Sequence, residues 1–111
     1  MDIKIKKMVD WVAVEAGDFS SVNEENMNST DGWYTVMHHA AQQGKIDVVE
    51  KLISMGANAD PTNVNGTSPA HLAAFGKHEK VLVLLQKAGA DFDLVCWGRI
   101  SVREIIDEYE K

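Results

Sequence analysis

Two histidines each stand three residues after a hydroxyl side chain: Thr35 and His38 in "TVMHHAAQQGKIDV", Ser68 and His71 in "TSPAHLAAFGKHEK". A hydroxyl and an imidazole can do nucleophilic or acid–base chemistry, and a histidine with suitable neighbours can hold a metal. The spacing argues against both. His38 and His39 are adjacent, so on a helix they point about 100° apart and cannot chelate one ion together. His71 and His78 fall on different predicted elements, and Cys96, the single cysteine, has no C-x-x-C partner. Nothing matches zinc-ligand spacing, and there is no G-x-S-x-G elbow, phosphate-cradling glycine loop or H-E-x-x-H. The pairs Glu24–Glu25 and Asp107–Glu108 suit turns and a solvated helix face better than paired-carboxylate catalysis. Cys96 reads as a small packing residue, with only Arg99 nearby to activate it. No catalytic residue, cofactor or metal is expected. The histidines are then architectural, because a polar ring on an apolar helix must find a partner or carry the cost of its burial.

The elements around them repeat. His71 lies 33 residues after His38, and the same offset sets Ala73 and Ala74 on Ala40 and Ala41, Leu85 on Leu52, and Gly89 on Gly56. A fixed period over a whole unit is the signature of a solenoid. Each unit predicts two helices. Ser68 is an N-cap followed by Pro69 at the first helical position, and Thr35 caps the corresponding helix of the preceding unit. Paired alanines make the first helix slim, whereas Val81, Leu84, Leu85 and Ala88 give the second an apolar stripe at i, i+3, i+4, i+7. Gly56 and Gly89 stop those helices, and Asn63 to Gly66 makes a turn.

The flanks read as partial copies. Ile5, Met8, Val9 and Val12 have helical spacing, and a shortened second helix is expected over "NEENMNST". At the other end Val102, Ile105, Ile106 and Tyr109 predict a helix capped by Ser101. The organisation is one domain: an N-terminal cap at 1–30, repeats at 31–63 and 64–96, and a C-terminal cap at 97–111.

Bulk properties narrow the partners. With 11 Lys and Arg against 17 Asp and Glu, the net charge is −6, which disfavours nucleic acid and anionic membrane. The one basic cluster, Lys4, Lys6 and Lys7, is too short to change that. No stretch approaches a membrane span or a secretory signal, and one cysteine permits no intrachain disulfide. A monomer in a reducing cytosol or nucleus is expected.

"GTSPAHLAAFGKHEKVLVLLQKAGADFD" resembles an ankyrin repeat, whose pattern runs G-x-T-P-L-H-x-A-A, then a Val- and Leu-rich helix, then G-A-D. The resemblance covers about residues 10–111 and is strongest in the two middle units. It departs at Val36 where proline is usual, at Trp33 beyond Gly32, and in the caps, where Trp11 and Glu104 take the histidine position. It implies an all-α solenoid of about four helix–turn–helix units with short β-hairpin-like turns. It also implies that Thr35–His38 and Ser68–His71 fix each turn and bridge units.

The resemblance further implies a partner-facing row of turn tips and first-helix ends. In one unit these are Asp31, Gly32, Tyr34, Gln42 and Gln43. In the next they are Val64, Asn65, Thr67, Phe75 and Gly76. In the last they are Trp97, Gly98, Ile100, Glu108 and Tyr109, and Glu15 and Ala16 extend the row from the first cap. Tyr34, Phe75 and Trp97 put an exposed aromatic on three successive units, as binding hot spots do. Trp33 is expected to fold back over its turn. Glu15, Asp18, Glu24, Glu25 and Asp31 lie towards one end, which suits a partner with a basic patch. The expected function is a non-catalytic protein-binding module, an inhibitor or adaptor. The alternative is a regulatory or architectural segment of a larger protein, against which the polar, closing look of "DEYEK" argues.

Overall fold

The structure, a computed structural model, describes residues 8–111, so Ile5 and the cluster Lys4, Lys6 and Lys7 lie outside the described residues. Its elements in chain order are α1 (Trp11–Glu15), α2 (Val36–Gln43), α3 (Ile46–Ser54), α4 (Pro69–Phe75), α5 (Glu79–Lys87), β1 (Val95–Cys96), β2 (Ile100–Ser101) and α6 (Val102–Tyr109). The first helices α1, α2, α4 and α6 stack side by side, and α3 and α5 form a second layer behind α2 and α4. This is an all-α ankyrin-type solenoid in which only the middle two units carry both helices.

The stacking follows from side-chain size. Ala40, Ala41, Ala73 and Ala74 are fully buried, so α2 and α4 approach closely and hide nearly their whole circumference. The outer helices bury one side only: Val49 and Leu52 on α3, Val81, Leu82 and Leu85 on α5. The α5 stripe thus differs from the expected one. Leu82 is buried, Leu84 is half-buried and Ala88 is exposed, because α5 packs on both α4 and α3 rather than on a single surface.

The N-terminal cap departs further. No helix lies between Glu15 and Val36, where turns held by the buried Asn26 and the half-buried Phe19, Val22 and Met27 replace the expected second helix. The expected apolar stripe also fails among the described residues: Met8 is exposed and Val12 is 81% exposed, while Val9 and Val14 are buried. Trp11 is the first residue of α1, and Asp10 caps Ala13, so no side chain of the histidine type closes this helix start.

The histidines act at the starts of α2 and α4. The backbone N–H of Ser68 donates to His71 Nδ1 at 3.0 Å, and the His71 N–H donates to Ser68 Oγ at 3.3 Å. Thr35 and His38 repeat the arrangement, giving two reciprocal capping boxes. Because Nδ1 accepts, the ring proton sits on Nε2. His38 Nε2–H donates across the unit boundary to the Thr67 carbonyl at 2.8 Å. The equivalent His71 Nε2 is buried with no partner at hydrogen-bond geometry, although the backbone of Ile100, at the place of Thr67, and of Leu94 lies near enough to favour its charged form. At α6 Ser101 and Glu104 form the same box with a carboxylate, which ends the chain of buried rings at an exposed position.

The helix ends share one device as well. After α3 and α5, Gly56 and Gly89 adopt positive φ while Ala57 and Ala90 donate back to Leu52 and Leu85, closing Schellman turns. Gly44 does the same after α2, and one unit later Lys77 takes that left-handed position with φ 58°. Between these two turns stands His78, whose Nε2–H donates to the Gln42 carbonyl at 3.1 Å. A Cβ on Gly44 would fall 2.6 Å from His78 Nδ1.

Burial lowers the pKa of both His38 and His71, with the Thr67 carbonyl opposing the shift at His38 and the Ile100 and Leu94 backbone opposing it at His71. The unfolded chain therefore takes up protons that the folded chain refuses. The stability these rings allow is fully present above their unfolded value of 6.5 and is lost as pH falls below it. Asp60, raised chiefly by burial, offsets part of the loss only at lower pH, where it takes up its proton early.

These contacts set the response to pH and to substitution. The melting temperature should fall by about 5 °C between about pH 7.5 and about pH 5.5, and the fall should shrink in a His38→Gln, His71→Gln variant, whose amides retain the capping box without titrating. In urea unfolding, Gly44→Ala should cost more than about 2 kcal/mol through strain and the His78 clash. Lys77→Gly should instead gain about 0.5 kcal/mol, the relief of strain outweighing the loss of the weak contact between its ammonium and the Tyr109 ring.

Candidate protein-binding surface

The turn tips are built by short polar side chains. Asp31 Oδ1 accepts from the backbone N–H groups of Trp33 and Tyr34 at 2.9 and 2.7 Å, and Thr30 Oγ1 accepts from Gly32 N–H at 2.7 Å. Asn63 Oδ1 does the same for Asn65 and Thr67. The third tip is a β-hairpin in which Trp97 and Gly98 both have positive φ and Arg99 N–H donates to the Cys96 carbonyl. Its Trp97 N–H donates to the Asn65 carbonyl at 2.7 Å, fastening one tip to the tip before it. A tryptophan at φ 57° is strained, yet its side chain is 64% exposed.

The expected row divides in two. At the N-terminal end, Glu15, Asp31, Trp33, Tyr34, Gln42 and Gln43 gather around one open pocket of about 520 Å³. Asp31 Oδ2 also accepts from His39 Nε2 at 2.9 Å. Burial alone would raise the Asp31 carboxyl, but the Tyr34 N–H, the His39 ring and the Trp33 N–H hold it below the usual carboxylate range. Tyr34 is half-buried, its ring stacked on His38 with centroids 4.9 Å apart.

The remaining residues form no single cavity. Phe75 is 55% exposed at the end of α4, next to an exposed Gly76, and Val64 beside a half-buried Asn65 is exposed at its turn. Ile100 is half-buried in β2, Glu108 pairs with Lys111, and Tyr109 is half-buried with the Lys77 ammonium over its ring. Tyr109 lines a different groove, with Leu82, Phe92 and Ile106 at the C-terminal end.

Three expectations are corrected by these positions: Tyr34, expected to stand exposed, is half-buried because its ring stacks on His38. Thr67, placed in the partner-facing row, is buried, because its N–H donates to Asn63 and its carbonyl accepts from His38. Trp33, expected to fold back, is 44% exposed and lies against the Tyr34 ring at 6.1 Å, since the Asp31 turn leaves no neighbouring helix to cover it. His39 is a site residue that the sequence pattern does not single out, and its signal is the helical offset from His38: one ring turns inward to Thr67, the other outward to Asp31. Burial pushes the Cys96 thiol pKa up, which keeps it protonated.

Comparison with known proteins agrees with this architecture. Residues 6–96 match the family model described as Ankyrin repeats (3 copies). A tyrosine-protein kinase HTK16 from Hydra vulgaris is 34% identical over 74 residues, covering 65% of this chain and 10% of that protein. An intracellular phospholipase A2 from Caenorhabditis elegans is 38% identical over 71 residues, 59% of this chain and 7% of that one. The human Notch-regulated ankyrin repeat-containing protein is 38% identical over 55 residues, 49% of this chain and 48% of that protein. The chain thus spans a tenth or less of the first two and about half of the third. With a family match over most of its length and the solenoid on which that match rests, the chain belongs to the ankyrin-repeat family.

Proposed function

We propose that this chain is a non-catalytic module that binds a partner protein through its concave face and turn tips, acting as an inhibitor or adaptor. Ankyrin repeats are in general protein–protein interaction modules. The observation that carries the reading is the exposure of Trp33, Phe75 and Trp97 on successive units. The Trp97 backbone serves the hairpin, but a tryptophan ring left 64% exposed at that left-handed position serves nothing inside the fold, which is the pattern of a side chain kept for recognition. The acidic end at Glu15, Asp18 and Asp31 suits a partner with a basic patch, with the interaction made as a monomer in a cytoplasmic or nuclear setting. No helix among the described residues is long and apolar enough to cross a membrane.

The small share of the two enzyme relatives that the chain spans favours a second reading: a regulatory or architectural segment within a longer protein. In that case the same surface packs against a neighbouring domain.

Affinity capture from cell extract, wild type beside a Phe75→Ala, Trp97→Ala variant of matched melting temperature, identifies a candidate partner. Binding of that purified partner should weaken at least tenfold in the variant, since a buried aromatic anchor is worth about 2 kcal/mol or more. Equal affinity for both proteins would remove the turn tips and concave face from the interaction.

A further inference from the structure

The pocket at the N-terminal end has a composition more specific than a general contact surface. Its walls are aromatic: Trp33 is 44% exposed, and the Tyr34 ring lies 6.1 Å from it with a 52° tilt. Its rim carries Glu15, an exposed carboxylate that pairs with no cation among the described residues. Gln43 Nε2 is committed to the Val14 carbonyl at 2.8 Å, and its Oε1 lies by Gly17, so Gln43 forms wall rather than contact. Gln42 is exposed beside it. Behind these stands Asp31, ionised by its hydrogen bonds to two backbone N–H groups and the His39 ring. Among the described residues no lysine or arginine lines the pocket; the Lys45 ammonium lies by Gly17, outside the lining.

Resting on the protein-binding reading above, we infer that this pocket receives the guanidinium of an arginine side chain on the partner. The volume of about 520 Å³ is ample for one extended side chain. Two aromatic rings beside the Glu15 carboxylate, the exposed Gln42 amide and the negative charge of Asp31 select a cation that is flat and rich in donors. The guanidinium meets both conditions: it stacks on aromatic rings and carries five N–H groups, whereas an ammonium is more strongly hydrated and cannot stack. An anion is opposed by Glu15 and Asp31, and an uncharged apolar group would desolvate Glu15 without compensation. Stacking by a guanidinium would cover the part of Trp33 that the Tyr34 ring leaves open.

The test is a nitrogen-15 NMR titration of the whole chain with acetyl-Gly-Arg-Gly-amide, and with the same peptide carrying citrulline or lysine. Citrulline matches arginine in shape and lacks its charge. The arginine peptide should shift the Trp33 indole N–H and the side-chain amides of Gln42 and Gln43. It should bind at least fivefold tighter than either of the other two. Glu15→Gln and Trp33→Ala, both at exposed positions, should each weaken it three- to tenfold while leaving the melting temperature unchanged. Equal binding of the citrulline peptide, equal or tighter binding of the lysine peptide, or shifts confined to other surfaces would overturn the assignment. A partner bound through Phe75 and Trp97 by a chain whose pocket ignores the arginine peptide would leave the module standing and remove only this pocket.

Discussion

The close approach of α2 and α4 is the constraint on which the other features depend. Four alanines with no side chain beyond Cβ bring the two helices together, and what they bury includes two imidazoles. Rings in that position lose their water, so what they can bond to is set by groups the backbone brings near. His38 and His71 use one nitrogen to close their own helix start, and His38 spends the other on the next unit. The same side chain therefore decides where a helix begins and how far away the next one sits. The depressed affinity of these rings for a second proton is the thermodynamic face of that arrangement.

The surface row inherits its geometry from the same interior. His38 holds the Thr67 carbonyl from inside, and Asn63 holds the Thr67 N–H from the turn, so the tip at Val64 and Asn65 projects from a fixed base. His39, one residue further round α2, reaches Asp31 and sets the floor of the pocket beside Trp33. Exposed side chains are thus placed by buried ones a single position away. That is the requirement for a recognition surface that need not order itself on contact.

Much of this is legible in the order of residues. The interval between His38 and His71, the paired alanines and the glycines at 56 and 89 are enough to place the middle units, because each has a strong local reason to sit where it does. The N-terminal cap is less legible: the spacing of Met8, Val9 and Val12 is helical, yet two of the three face solvent, since periodicity reports a face and not what lies against it. Thr67 is misplaced by sequence reasoning for a related cause, because its burial depends on a ring 29 residues earlier. Lys77 is invisible to it, as no local rule puts a lysine where Gly44 stands one unit before. Trp33 and Trp97 differ from both, because turn chemistry sets their backbones while nothing in the fold sets their exposure.

Among the described residues, the hydrogen bonds between units each reach one neighbour: Gln43 to Val14, Asn58 to Asn28, His38 to Thr67, His78 to Gln42, Trp97 to Asn65, and the Asp91 N–H to Asp60 Oδ2. A stack joined only in this way has no fastening that spans it from end to end. Its units can loosen in sequence, beginning at the outer helices α1 and α6, which among the described elements have a first-layer neighbour on one side only. The fastening of Trp97 to Asn65 means that the last hairpin cannot swing away without releasing the turn before it. A partner gripping the Trp97 tip would therefore hold two units closed, and its residence would slow the fraying of the whole C-terminal half.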